Sequence, residues 1–204
     1  MRRLATTVRD ALGRLQNPRT AAHPEFPDLE PRQLTMAIAG SAARQCQLPQ
    51  APFGYCSRHF RPGDEASWLH LIETEFERWD RERFDAFLSE PERRQGSCVI
   101  EHKGLIVAAT FASRATAHPL TGTVDYVACD PAHRGRKLGL MACGAVVKYL
   151  GENGYDSVSL KTDDWRLAAI KVYFDLGFTP VINRIDMSAR WEAIRHQLEA
   201  YSST

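Results

Sequence analysis

The sequence predicts an α/β fold built on a mixed central β-sheet with helices on both faces. Three observations carry this expectation. From Phe53 onward, β-like apolar runs alternate with amphipathic helical segments. The order β-α-α-β-β-β-α-β-α-β-β mixes runs of strands with helical crossovers, which one sheet accommodates by combining antiparallel and parallel neighbours. The chain has 204 residues, 44% of them hydrophobic and 25% charged, the size and make-up of one globular domain with extensions.

The elements follow in order. Met1 to Arg19 holds five Arg and one acid and reads as a basic surface helix ending at Asn17-Pro18. It lacks the apolar centre of a secretory signal. Asn17 to Pro31 carries four prolines, the mark of an extended arm. Gln33 to Gln47 is weakly helical, with Leu34, Ile38 and Ala42 on one face. Phe53 to Phe60 reads as a strand, and Arg61-Pro62-Gly63-Asp64 as a turn whose Asp64 is placed to cap the next helix. That helix sets Trp68, Leu69, Ile72 and Phe76 on one side. A second runs from Asp80 to Leu88 and is stopped by Pro91.

Ser97–His102 and Leu105–Ser113 are strands joined at Lys103-Gly104, a hairpin signal. Thr123–Cys129 is another strand. Leu138, Met141, Ala142, Ala145, Val146 and Tyr149 then recur at helical spacing, closed by Gly151 and Gly154. Ser157–Leu160 is a strand, Leu167–Leu176 a helix ended by Gly177, Phe178–Val181 a strand, Ile185–Met187 a further short one, and Trp191–Leu198 a final helix. The domain reading is an N-terminal extension over residues 1–50, a main domain over 51–190 and a C-terminal helix over 191–204.

Composition excludes several roles. A net charge of +1 gives no support to bulk binding of nucleic acid or of an anionic membrane. No run reaches the length of a membrane span. The five cysteines contain no CxxC pair and fit a reducing, cytoplasmic setting. Cys46, Cys56 and His59 match no zinc spacing, so no metal is expected.

The segment from Cys129 to Gly139 (Cys-Asp-Pro-Ala-His-Arg-Gly-Arg-Lys-Leu-Gly) carries the chemistry. A strand, a basic glycine-containing loop and a helix start together present backbone N–H groups and a positive helix end to an anion. Arg134, Arg136 and Lys137 add cations, and Gly135 and Gly139 let a ligand approach the backbone closely. Alone, the same string also reads as a surface turn with solvated arginines. A nucleotide-triphosphate loop needs GxxxxGK followed by Ser or Thr, and a dinucleotide site needs GxGxxG; neither string occurs.

This loop, with its lead-in Val127, Cys129, Asp130 and Pro131, resembles the acyl-CoA pyrophosphate loop of the GNAT acetyltransferase superfamily. The string Ala169-Ile-Lys-Val-Tyr-Phe-Asp-Leu-Gly-Phe178 is similar to that family's helix ending in Tyr and a Gly-Phe pair. The resemblance spans roughly Tyr55 to Val181, and Thr162–Arg166 looks similar to members near mycothiol synthase. Two positions depart from the pattern: Lys137 stands where the family usually has Gly, and Arg166 where it often has Asn.

The resemblance implies a GNAT-like fold and an N-acyltransferase using acetyl-CoA as co-substrate, with a small-molecule or peptide amine as acceptor. By it, Val127, Ala128 and Cys129 would pair with the pantetheine arm. Arg134, Gly135, Arg136, Lys137, Leu138 and Gly139 would hold the pyrophosphate, and Arg166 would be a further cofactor contact. Tyr173 is the candidate proton donor to the leaving thiolate; its alternative role is helix packing beside Ile170 and Phe174. Asp125 is a candidate base through water or, equally, a strand-end charge. Alternation places it on one face with Val127 and Cys129. Phe76, Glu77 and Trp79 are candidates to line the acceptor pocket, and the charge run Glu75 to Arg83 reads most simply as a solvated face. The rival function is a non-catalytic acyl-CoA-binding sensor. The segment Ile185–Met187 and the Trp191 helix could serve a homodimer.

Overall fold

The computed structural model describes residues 32–202. The basic helix and proline-rich arm expected before Arg32 lie outside the described residues. Two compact units divide the chain. One is Thr35–Thr162 with Ala168–Val181; of the other, the described parts are residues 32–34, Asp163–Leu167 and residues 182–202.

The first unit is built on a seven-stranded mixed sheet. Its strands are β1 (Leu34–Ala39), β2 (Tyr55–Arg58), β3 (Cys98–His102), β4 (Leu105–Arg114), β5 (Thr121–Cys129), β6 (Ser157–Thr162) and β7 (Thr179–Pro180), in spatial order β2-β3-β4-β5-β6-β1-β7. Strands β2 to β5 pair antiparallel, β5 and β6 parallel, and β1 and β7 antiparallel. The β3–β4 hairpin turns on Lys103 at φ 50° and Gly104 at φ 82°, the two left-handed residues that a tight hairpin requires.

The helices are α1 (Gly40–Arg44), α2 (Glu65–Ile72), α3 (Arg81–Phe87), α4 (Pro91–Gln95), α5 (Leu138–Glu152), α6 (Leu167–Asp175) and α7 (Met187–Ser202). Helix α5 packs across β3 to β6; of its periodic residues Leu138, Met141, Ala142 and Val146 are buried, and Ala145 and Tyr149 half-buried. An aromatic cluster of Trp68, Trp79, Phe84, Phe87 and Phe111 joins α2 and α3 to β4. Trp68 lies 4.7 Å from Phe84 and 5.9 Å from Phe87 between ring centroids. Such offset and tilted contacts add to the stabilisation from burying these large rings.

Several local expectations are corrected. Gln33–Gln47 is not one helix: Leu34–Ala39 is a strand inside the sheet, followed by the single turn of α1. Residues placed by sequence in the N-terminal extension therefore belong to the sheet. Leu34, Met36 and Ile38 are buried and Thr35 and Ala37 half-buried, the period of a strand. Asp64 precedes α2 but does not cap it, because its carboxylate accepts from Arg58 at 2.6 Å and from the Arg61 N–H at 2.9 Å. Pro91 does not merely end a helix; it opens α4 at the first helical position, where a missing N–H costs nothing. Gly151 lies within α5. A Cβ there would stand 2.4 Å from the Arg44 nitrogen, so this glycine serves the approach of α1. Ile185–Met187 is not a strand, and the last helix begins at Met187.

Within the second unit, Arg190 is 5% exposed and must be paired to be tolerated there. It donates to Asp164 at 2.9 Å, to Asp186 at 3.3 Å and to the Arg32 carbonyl at 2.9 Å. The hydrogen bond to Asp164 is the main reason its pKa is raised, with burial opposing. Among the described residues no helix is long and apolar enough to cross a membrane.

Candidate active site

The site is set by what β5 does halfway along. Its first residues pair with β6 at Thr121↔Ser157, Gly122↔Val158 and Thr123↔Ser159, and the pairing runs no further. Opposite Thr110 of β4 the ladder shifts register, and Tyr126 takes φ 52°. This is a β-bulge, which bends a strand and increases its twist. The Tyr126 ring is held by edge contacts to Phe76, Trp79 and Phe87 at 4.9–5.4 Å. The Thr110 hydroxyl donates to the Asp125 carbonyl at 2.7 Å. Beyond the bulge, Val127 to Cys129 continue beside β4 without β6 on the other side. Backbone groups unpaired in this way suit an extended, amide-bearing ligand laid along the strand.

The loop then turns toward α5. Asp130 accepts from the Ala132 N–H at 2.8 Å and starts a single 3-10 turn, Pro131–His133. The His133 imidazole Nδ1 lies 2.9 Å from the Tyr55 hydroxyl, tying this turn to the edge strand β2. Gly135 at φ 76° and Lys137 at φ 59° carry the chain into the helix. The first helical bond is Met141 N–H to the Lys137 carbonyl, at 3.0 Å. The N–H groups of Leu138, Gly139 and Leu140 thus have no partner within the helix and point outward at its positive end. A Cβ built on Gly135 or Gly139 meets nothing within 4 Å, so the space above this turn is open.

Lys137 sits in the left-handed region that costs an L-residue about 1–2 kcal/mol. That cost explains why glycine is the easier residue at this place. Arg136 spends one guanidinium nitrogen on the Ala132 and Arg134 carbonyls, at 3.1 and 3.2 Å, and so braces the loop. Arg134 forms an ion pair with Glu75, a residue in the turn after α2. Burial pushes the Cys129 thiol up, with Glu75 and Asp130 adding to this and Arg134 and Arg136 opposing. An uncharged, half-buried thiol is a packing group here rather than a nucleophile.

The other sequence candidates fall as follows. Asp125 is engaged on the near side of the bulge. Its carboxylate receives the Ser113 hydroxyl at 2.7 Å and Arg93 at 3.1 Å. The bulge also interrupts the alternation that would align Asp125 with Val127 and Cys129. Tyr173, on α6, is 4% exposed, with its ring 6.2 Å from Phe178. Arg166 lies in the second unit, paired with Asp163 at 3.3 Å and stacked 4.4 Å over the Trp165 ring. Trp79 is a core residue at 4% exposure, with Arg83 4.2 Å over its ring. Glu77 pairs with Arg83 at the surface.

Glu75 is the residue the sequence reading missed. The charge run around it does lie at the surface, but its own side chain is 17% exposed. A pairing partner 59 positions away leaves no local signal. Among the described residues no cluster of His, Cys, Asp and Glu forms a metal site.

Known proteins share this fold. The family model described as Acetyltransferase (GNAT) family matches residues 65–178, more than half of the chain. The mycothiol acetyltransferase of Thermobispora bispora is 33% identical over 144 residues, covering 64% of this chain and 48% of that protein. That of Nocardia farcinica is 30% identical over 149 residues, covering 66% and 49%. The chain thus spans about half the length of these curated relatives. Among solved structures, a GCN5-related N-acetyltransferase from Sphaerobacter thermophilus superposes with a TM-score of 0.62 at 21% identity, covering 88% of this chain and 55% of that one. The diaminobutyrate acetyltransferase of Paenibacillus lautus, in complex with its substrate and coenzyme A, superposes with a TM-score of 0.51 at 17% identity, covering 59% and 73%. With the family model matching from α2 through the loop before α5 to Phe178, the chain belongs to the GNAT acetyltransferase family.

Proposed function

We propose that this protein is an acyl-CoA-dependent N-acyltransferase that moves an acetyl group from acetyl-CoA to a primary amine by direct attack. The observation that carries the reading is the coincidence of two features on one strand. β5 parts from β6 after Thr123, and the same strand ends in a loop whose helix start offers unpaired N–H groups. In this reading the pantetheine arm lies along Val127, Ala128 and Cys129, and the pyrophosphate rests on Gly135 to Gly139. Lys137 and Arg134 supply charge.

Attack by a neutral amine on the thioester carbonyl forms the C–N bond and breaks the C–S bond; the expelled CoA thiolate takes a proton from its donor, and the proton lost by the amine nitrogen as it becomes the amide restores that donor through solvent. Tyr173 is assigned that donation. A phenol delivers its proton as the leaving sulfur gains charge. Asp125, already held by Arg93 and Ser113, is assigned the positioning of the bulge rather than proton removal. The amine, peptide or small-molecule, would approach from the α2–α3 side, where Phe76 borders Tyr126.

The test is release of free thiol from acetyl-CoA with a panel of primary amines. Turnover should appear with at least one amine, and Tyr173→Phe should lower kcat by about 100-fold while changing CoA affinity less than about twofold. Tight CoA binding with no turnover on any amine would instead identify a sensor module. No CoA binding at all would refute both.

A further inference from the structure

We propose that Glu75 acts as a built-in stand-in for the donor's phosphate: its carboxylate occupies Arg134 until the polyanion displaces it, and that displacement frees the turn beside the acceptor side. The inference rests on the acyl-CoA reading of the loop and adds a regulatory contact to it.

Four facts carry it. Arg134 belongs to the loop proposed to take the pyrophosphate, yet its guanidinium already pairs with Glu75. Glu75 is largely buried and is reached from a different element, the turn after α2, where its N–H donates to the Ile72 carbonyl at 3.1 Å. Arg134 follows the end of β5 at Cys129 by five positions, and the two charges act on the Cys129 thiol with opposite sign. The next residue, Phe76, sets its ring 5.4 Å from Tyr126 at the bulge. One short turn therefore touches the phosphate loop with Glu75 and the reacting region with Phe76.

Glu75 takes one guanidinium nitrogen of Arg134, and a phosphate that takes the same nitrogen must displace the carboxylate. Once a pyrophosphate takes Arg134, the displaced carboxylate faces a like charge in a partly desolvated place, and repulsion there exceeds that in bulk water. The relief available is movement of the Glu73–Phe76 turn. Donor binding is thereby coupled to the loosening of the segment that packs on Tyr126.

The test is calorimetric titration of the full chain and its variants with CoA, pyrophosphate and phosphate-free pantetheine. Glu75→Gln, which keeps the shape and removes the charge, should bind CoA and pyrophosphate about fivefold more tightly, the scale of a partly exposed ion pair. Pantetheine affinity should not change. Arg134→Ala should weaken CoA, and adding Glu75→Gln to it should do nothing further. Hydrogen exchange at residues 73–76 should quicken on CoA addition in the native chain and stay constant in Glu75→Gln. Glu75→Ala, checked for an unchanged Tm, guards against a fault peculiar to glutamine. Unchanged or weaker binding by both Glu75 variants would overturn the proposal, as would a gain that persists without Arg134. If the native chain binds pyrophosphate but not CoA, the acyl-CoA reading fails while the pyrophosphate comparison still decides the latch. Failure of every variant to bind either anion would overturn both.

Discussion

The two halves of β5 obey opposite rules. In its amino half, Gly122 and Thr123 are paired on both sides, to β4 and to β6. A Cβ on Gly122 would press on the Leu150 side chain at 2.6 Å, so this half leaves no spare room. The carboxyl half, past the bulge at Tyr126, has β4 alone beside it and runs into a loop with open space above Gly135 and Gly139. The contrast teaches that the sheet spends its complementarity where α5 must dock and leaves one side of the strand unpaired beyond the bulge. In the proposed reading a single strand serves as framework and as binding edge, and the bulge is the border.

Substitutions can break this comparison in order of effect. Gly122→Val should cost about 3 kcal/mol through overpacking against Leu150, lowering Tm by roughly 6–12 °C in a scan. An unchanged Tm would show that the amino half is looser than described. Asp125→Asn, at the border, should cost about 2 kcal/mol by leaving Arg93 half-paired. If it instead lowered kcat with no loss of Tm, Asp125 would be a base and not a strut. Gly139→Leu should leave Tm within about 2 °C, since nothing opposes a side chain there, but weaken CoA at least about tenfold by filling the space the ligand needs. Weak CoA binding with a large fall in Tm would mean the space belongs to the fold. Lys137→Gly should give the smallest change. It should gain at most about 1 kcal/mol by relieving the left-handed backbone, and flatten the salt dependence of CoA affinity by removing one cation.

How much of this was legible depends on where the information sits. Helix α5 shows its buried stripe in its spacing, and the phosphate loop carries its Asp-Pro start, its basic run and its glycines in consecutive positions. Strand β1 was hidden by a coincidence of periods. Leu34 and Ile38 are four apart, which suits a helix face, yet with Met36 they also alternate every second residue, which suits a strand; only pairing with β7 decides. The cap role expected of Asp64 failed because Arg58, on another element, competes for the carboxylate. The Glu75–Arg134 contact and the Arg93–Asp125 tie likewise join residues distant in sequence. Local chemistry shows in local strings, and such pairings appear only in the folded chain.

Strand β1 has a consequence for the order of folding. It enters the chain before every other described strand and ends up next to last in the sheet, between β6 and β7. Its partner β7 offers two residues and arrives more than 140 positions later. This edge of the sheet therefore closes late, since a contact of such long range cannot form until nearly the whole domain has been synthesised. Until then this side of the sheet keeps a naked flank. A fragment trimmed to the segment matched by the family model would keep it permanently, inviting edge-to-edge association between copies.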